Sequence, residues 1–310
     1  MFSNKKFKKN RNIKTKPLFF HLIMTPEEAL RVLSPAQQLL VPIANVFGLP
    51  AYFKGDIADI VFNRYLDVVV YFEVFYILLI YYGPKWMEKR EPFKLKSLTT
   101  VWNLLLTLYS CGGAVGCVTL LMYLLETYGF YGTTCHFPKY VIYDGEYSFW
   151  IFAFLLSKFP EMIDTVFLVL QKKPLIFLHW YHHLTVAIFC WYAGMELIPS
   201  GIWYATMNYC VHSVMYLYYF CCSLGLRPYV RPIAPFITFF QLMQMVVGII
   251  IISYTLYMTY FSKRGCNVDK RTIRLGIGMY GSYLVLFALL FVKLYLKKDN
   301  KKDNKKEKKA

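Results

Sequence analysis

Apolar residues run through this chain in long blocks. Seven stretches are almost uninterrupted: 62–82, 99–125, 147–170, 175–193, 203–224, 233–260 and 275–296. A helix rising 1.5 Å per residue needs about 20 apolar residues to cross a membrane, and each block has roughly that length. The pattern predicts an all-α polytopic membrane protein with seven transmembrane helices. The connections between blocks are too short to hold a soluble domain, and no internal repeat is present. Three regions follow. Residues 1–61 form a basic N-terminal tail, residues 62–296 a seven-helix domain, and residues 297–310 a lysine-rich tail. Within the first, Thr25-Pro26-Glu27-Glu28 reads as a helix start, with a capping hydroxyl, a proline in the first turn and then acids. Leu30, Leu33 and Leu40 give this segment an apolar face that could lie along the membrane interface. A loosely ordered segment fits it equally, and Ser34-Pro35 would break it.

Composition narrows the class. Apolar types make up 57% of the 310 residues and charged types 17%, which excludes a disordered chain and a typical soluble domain. The net charge is nevertheless +17. Seven basic residues precede the first acid, Glu27, and eight lysines against three acids close the chain, so the tails carry +12 of that excess. No basic stripe or nucleic-acid motif accompanies them, so no nucleic-acid partner is expected. Basic flanks on an apolar body instead fit contact with the lipid bilayer surface. The eight cysteines form no CxxC pair, which argues against a zinc knuckle or a disulfide scaffold. The opening segment does not read as a cleavable signal peptide.

Loop charge gives an orientation. The first loop carries Lys85, Lys89, Arg90, Lys94 and Lys96, the third Lys172 and Lys173, and the fifth Arg227 and Arg231. The second has only Lys139 and the fourth none. This alternation predicts that loops one, three and five and the C-terminus are cytosolic. The basic N-terminal tail and the sixth loop (Lys263, Arg264, Lys270, Arg271, Arg274) run against it. The chain ends Lys306-Glu307-Lys308-Lys309-Ala310, a KxKxx dilysine pattern of the kind that retrieves membrane proteins to the endoplasmic reticulum membrane.

Ionisable residues inside a span cost about 2.5–3.5 kcal/mol at mid-depth, so they mark where chemistry should be sought. The third block holds Lys158, Glu161, Asp164 and Thr165; the fourth His179, His182 and His183. The fifth holds Asn208, His212 and Tyr216; the sixth Thr238, Gln241 and Gln244. Spacings of three and four place each set on one helical face. Counted from the cytosolic ends, His179 to His183 lie about 6–12 Å deep, Asp164 about 9 Å, Gln241 and Gln244 about 12–16 Å, and Lys158 and His212 about 18 Å. The four sets predict a polar chamber open to the cytosol above an apolar slot, suited to a long-chain substrate with a polar head. A single buried histidine is most often a hydrogen-bonded core residue, and Lys158 with Glu161 could be a structural ion pair. Four sets at one depth argue for chemistry.

The HxxHH pattern also occurs in membrane di-iron desaturases, and imidazole suits iron. The chain has six histidines, and His21 and His136 lie outside the cluster. Four histidines cannot furnish a conventional di-iron centre. A single metal ion stays open as an alternative, but the favoured reading has no metal. Neutral imidazole can itself attack a thioester and serve as acid or base. Asn208, Gln241 and Gln244 could donate hydrogen bonds to a developing oxyanion.

At these residues the sequence resembles the ELO family of fatty-acid elongases, the 3-ketoacyl-CoA synthases of the endoplasmic reticulum. The patterns are Lys158-Phe-Pro-Glu161-Met-Ile-Asp164-Thr165, His179-Trp-Tyr-His182-His183, Asn208-Tyr-Cys-Val-His212-Ser-Val-Met215-Tyr216 and Thr238-Phe-Phe-Gln241-Leu-Met-Gln244. Met87, Arg90 and Pro92 add to the likeness, which covers about residues 60–296. The wording around the second and third patterns looks closer to the branch acting on saturated and monounsaturated chains.

The resemblance implies condensation of acyl-CoA with malonyl-CoA to 3-ketoacyl-CoA, carbon dioxide and CoA, with no cofactor beyond the two substrates. On this reading His182 carries the acyl group and His212 and His179 position the thioester. Asp164 with Glu161 orients an imidazole, Lys158 offsets their charge, and His183 is mainly architectural. CoA phosphates would meet Lys172, Lys173, Arg227, Arg231 and Lys293, while Tyr216 and Tyr218 line a thioester channel. The partners implied are the ketoreductase, dehydratase and enoyl reductase of the elongation cycle, and a homo-oligomer is compatible with it. Cys135 and Cys266 are the only cysteines in the predicted luminal loops, and a disulfide between them is expected in that oxidising compartment. The rival readings are a seven-helix receptor or transporter without catalysis, a single-histidine acyltransferase, and a metal-dependent desaturase. Carbon dioxide release dependent on both substrates fits the condensing enzyme alone.

Overall fold

A computed structural model describes residues 61–136 and 146–296. Both tails, the predicted interfacial helix, the KxKxx ending and the second-loop segment with Lys139 lie outside the described residues. Among the described residues the chain is helical, with no strand. The helices are α1 (Leu66–Met87), α2 (Lys96–Cys135), α3 (Glu146–Glu161), α4 (Ile163–Leu170), α5 (Phe177–Glu196), α6 (Gly201–Ser223), the single turn α7 (Arg227–Val230), α8 (Ala234–Tyr260) and α9 (Lys270–Phe291). A π turn, Val292–Leu296, ends the last.

Among the described residues, four helical stretches are long and apolar enough to cross a membrane: Leu66–Met87, Lys96–Cys135, Arg227–Tyr260 and Lys270–Leu296. The chain is a membrane-embedded, multi-pass protein. Of the helices that hold the polar clusters, α3 to α6 are shorter or less apolar, whereas α8 belongs to one of the four. On α1, Val68, Tyr71, Phe75 and Leu78 are exposed, an outward apolar face suited to lipid.

Three boundaries depart from the sequence reading, each for a local reason. The third block is two helices, broken at Met162. Pro160 has no N–H to donate into the preceding turn and its ring crowds that turn, so the helix ends at Glu161, one residue later. α2 runs ten residues past the expected end at 125 and is kinked at Gly129, whose φ of 67° and ψ of −178° belong to a region open essentially to glycine alone. α9 starts at Lys270, inside the expected sixth loop. Asp269 caps it, its carboxylate accepting from the Arg271 backbone N–H at 2.7 Å.

Neighbouring helices close a ring in the order α2, α6, α8, α9, α5, α3 and back to α2. α1 stands outside it, against α4 and α5. The main core lies between α2, α3 and α6, where Cys117, Leu120 and Leu124 meet Trp150, Phe154, Ala205 and Tyr209. Gly113 and Gly116 permit this closeness, because a Cβ at either would collide with the rings of Tyr209 and Trp150 respectively. The Tyr209 hydroxyl donates to the Trp150 carbonyl at 3.1 Å, so it accepts from Tyr109 at 2.9 Å. At the end of α2, Cys135 and Cys266 are joined by a disulfide, and the Asn267 N–H donates to the Cys135 carbonyl at 2.8 Å.

Candidate active site

α3, α5 and α6 bring together the residues that the apolar pattern makes conspicuous. Lys158 is 2% exposed, and its ammonium lies 2.6 Å from Glu161 Oε1 and 2.9 Å from Asn208 Oδ1. Ser157 donates to the same Glu161 oxygen at 2.8 Å. The other oxygen, Oε2, accepts no hydrogen bond among the described residues and lies 3.8 Å from His212 Nδ1. Glu161 therefore offers one oxygen to its own helix and to Lys158, and the other to the imidazole of α6. Because Asn208 Oδ1 accepts a hydrogen bond from Lys158, its amide N–H donors are left for other partners.

Asp164 is not part of this group. Its two oxygens accept from Trp102 Nε1 at 2.8 Å and from the Tyr216 hydroxyl at 2.9 Å. The expectation that Asp164 orients a histidine is thus not met. The break at Met162 separates it from Glu161, and it faces α2 and α6. Thr165 takes the place expected of it. Thr165 Oγ1 is 2.9 Å from His179 Nε2 and 2.8 Å from the Tyr76 hydroxyl. The imidazoles of α5 sit close together, with ring centres 4.6 Å apart for His179 and His183 and 5.4 Å for His182 and His183. His183 Nδ1 is buried with no partner among the described residues. Among those residues, no group of three or more histidine, cysteine or acidic side chains is gathered as a metal site would require.

A cavity lies inside the ring, walled by α3, α5, α6, α8 and α9, with about 850 Å³ between its walls, open mouth included. His182, Asn208 and Gln244 contribute polar groups to it. Phe154, Leu155, Phe189, Leu197, Ile198, Ile202 and Met245 make most of the rest apolar. Of the four clustered histidines, His182 alone lines this cavity. Its ring packs beside Tyr283, 4.9 Å between centres, whose hydroxyl donates to the His182 carbonyl at 3.3 Å.

Of the three polar residues of α8, Gln244 reaches the cavity. Gln241 donates to Met215 Sδ at 3.2 Å, and Thr238 is 3.2 Å from the Tyr295 hydroxyl. Lys173, Arg227, Arg231 and Lys293 are exposed. Lys172 differs, since its ammonium donates to the carbonyls of Glu88 and Arg90, both at 3.0 Å, and ties the first loop to the third. Tyr216 is buried with its hydroxyl committed to Asp164, whereas Tyr218 is half-buried.

Sequence reasoning passes over Ser157, Trp102, Tyr76, Tyr283 and Glu73. Four of these are hydroxyl or indole donors that carry no charge and stand in apolar runs like ordinary core residues. Glu73 carries a legible signal, an acid within an apolar block. Its carboxyl is 6% exposed, and neither oxygen has a partner among the described residues.

Comparison with known proteins adds the following. Residues 61–303 match the profile of a family described as ELO: GNS1/SUR4 family. The chain is 60% identical over 242 residues to "Very long chain fatty acid elongase 4" of Trypanosoma cruzi (strain CL Brener), covering 78% of this chain and 84% of the relative. It is 44% identical over 261 residues to "Fatty acid elongase 3" of the same organism, covering 77% and 87%. It is 42% identical over 221 residues to "Very long chain fatty acid elongase 6" of Drosophila melanogaster, covering 71% and 69%.

Proposed function

Because the chain belongs to the GNS1/SUR4 family of fatty acid elongases, we propose that it is the condensing enzyme of elongation, a 3-ketoacyl-CoA synthase acting by a ping-pong route. The observation that carries this reading is the position of His182, at the polar part of an otherwise apolar cavity inside the helix ring. The His182 imidazole attacks the thioester carbonyl of acyl-CoA. The C–S bond breaks, CoA leaves as the thiol with the imidazole proton, and an acyl-imidazole remains. Malonyl-CoA then enters and its carboxylate leaves as carbon dioxide. The enolate attacks the acyl-imidazole, releasing 3-ketoacyl-CoA, and the imidazole regains a proton from solvent.

The surroundings fit these steps. The Asn208 amide, oriented by Lys158, turns its N–H donors to an oxyanion, and Gln244 supplies another donor to the same cavity. Glu161 faces His212 at 3.8 Å, while Lys158 offsets the Glu161 charge. The cavity below His182 takes the acyl chain, saturated or monounsaturated. Both substrates are CoA thioesters and no cofactor is needed. Their phosphates stay at the cytosolic rim, on Lys173, Arg227, Arg231 and Lys293, with Lys172 as a structural tie. We place the enzyme in the endoplasmic reticulum membrane with seven spans, a cytosolic C-terminus and the Cys135–Cys266 pair in the lumen, beside the other enzymes of the cycle.

The test uses purified protein, labelled malonyl-CoA and palmitoyl-CoA. Carbon dioxide release should require both substrates, and mass spectrometry should find an acyl adduct on His182 when malonyl-CoA is withheld. An acylated His182→Ala protein would remove His182 as the nucleophile.

A further inference from the structure

The contact between Tyr76, Thr165 and His179 crosses from the peripheral helix α1 through α4 to α5. Thr165 is fully buried and Tyr76 is 1% exposed. Around the tyrosine stand Met162, Ala187, Leu79, Phe159 and Leu184, an apolar setting. The hydrogen bonds can run in three ways. In the first, Tyr76 donates to Thr165 and Thr165 donates to His179 Nε2, so every hydroxyl hydrogen is used and the imidazole proton must sit on Nδ1. In the second, Nε2–H donates to Thr165 and Thr165 to Tyr76. The Tyr76 hydrogen then has no acceptor, because Thr165 Oγ1 is its one hydrogen-bond partner among the described residues and neither oxygen of Glu73, one turn away, engages it. In the third, Tyr76 and Nε2–H both donate to Thr165 Oγ1, and the Thr165 hydrogen has no acceptor among the described residues. A buried donor left unmade is costly, and the first arrangement avoids that cost.

We propose that Tyr76 and Thr165 are positioning residues that lock His179 in its Nδ1–H tautomer, so that His179 serves the reaction as a hydrogen-bond donor through Nδ1. Among the described residues Nδ1 makes no hydrogen bond, and His179 is half-buried, one turn before His182 on α5. His179 does not itself line the cavity, but from three positions before His182 on the same helix it would offer the Nδ1 proton to the thioester oxygen of a substrate whose acyl carbon is at His182. This rests on the condensing reading above. Neutral imidazole with the wrong nitrogen protonated would present a lone pair to that oxygen and repel it.

The experiment uses the full chain in lipid nanodiscs, labelled with ¹⁵N-histidine, with His179→Gln assigning the resonances. His179 should be protonated at Nδ1 in the wild type. Thr165→Val should shift it toward the Nε2–H tautomer and lower kcat about 10- to 100-fold, with KM for acyl-CoA changed less than about twofold. Thr165→Ser should restore both readouts, and Tyr76→Phe should fall between them. A wild-type spectrum with His179 protonated at Nε2, or a Thr165→Val protein with unchanged tautomer and kcat, overturns the proposal. If Thr165→Val does not fold, the wild-type spectrum and Tyr76→Phe still decide it. Absence of carbon dioxide release from the wild-type enzyme would overturn the condensing reading instead, while the tautomer measurement would stand.

Discussion

Lys158 is the side chain whose environment says most about the site. An ammonium 2% exposed inside a membrane protein persists because Glu161 and Asn208 hold it, at 2.6 and 2.9 Å. Removing one partner of such a pair leaves the other as an uncompensated buried charge. Lys158→Met is therefore expected to destabilise the protein by about 3–5 kcal/mol, and the double variant Lys158→Met/Glu161→Gln to recover much of it. Thermal unfolding in detergent followed by tryptophan fluorescence measures both. Equal stability of the single variant and the wild type would show that the pair is not needed for folding. Lys158, Glu161, the four histidines, Asn208 and Gln244 are legible in the sequence because a polar residue in an apolar block has few innocent explanations. What stays hidden is pairing. Nothing along the chain says that Asp164 meets Trp102, 62 positions earlier, or that Thr165 rather than an acid meets His179. Those partners depend on how α4 is turned after the break at Met162, and a single sequence carries no record of that rotation.

At the scale of elements, helix existence is legible from block length, and boundaries fail where local chemistry extends or breaks a block. Pro160 and the Asp269 cap are present in the sequence as ordinary stop and start signals, but apolar length overrides them when blocks are drawn. Gly129 is the sharpest case. An added Cβ there would have nothing within 4 Å, so space imposes no limit on a side chain. The limit is backbone conformation, which is disfavoured for every L-residue with a Cβ. Gly129→Ala should cost about 1–3 kcal/mol. Gly129→Asn should do no better, since asparagine's tolerance of the left-handed helical region does not extend to a ψ of −178°. Melting curves of the two variants check this. If asparagine restores wild-type stability, the kink does not have the conformation described.

For the whole molecule, the ring of six helices explains why one cavity can be apolar on most sides and polar at one part. Four walls of that cavity come from helices carrying the motif residues, and α9 closes it with Met279, Tyr280 and Tyr283. The disulfide fastens α2 to the segment leading into α9 across 131 positions. Reduction, or Cys135→Ser, should lower stability by about 2–5 kcal/mol, read as a fall in melting temperature with dithiothreitol. Both thiols reacting with an alkylating agent in unreduced protein would show that the bond does not form in the cell. The peripheral place of α1 has a consequence for how the chain is made. Tyr76 is synthesised 89 residues before Thr165, which at about 5–20 residues per second is a delay of roughly 4–18 seconds. During most of that interval the newborn helix carries Tyr76 beside Leu79 and Ile80, before Phe159, Met162 and Thr165 exist. Capture of α1 by α4 and α5 thus becomes a late event of biosynthesis.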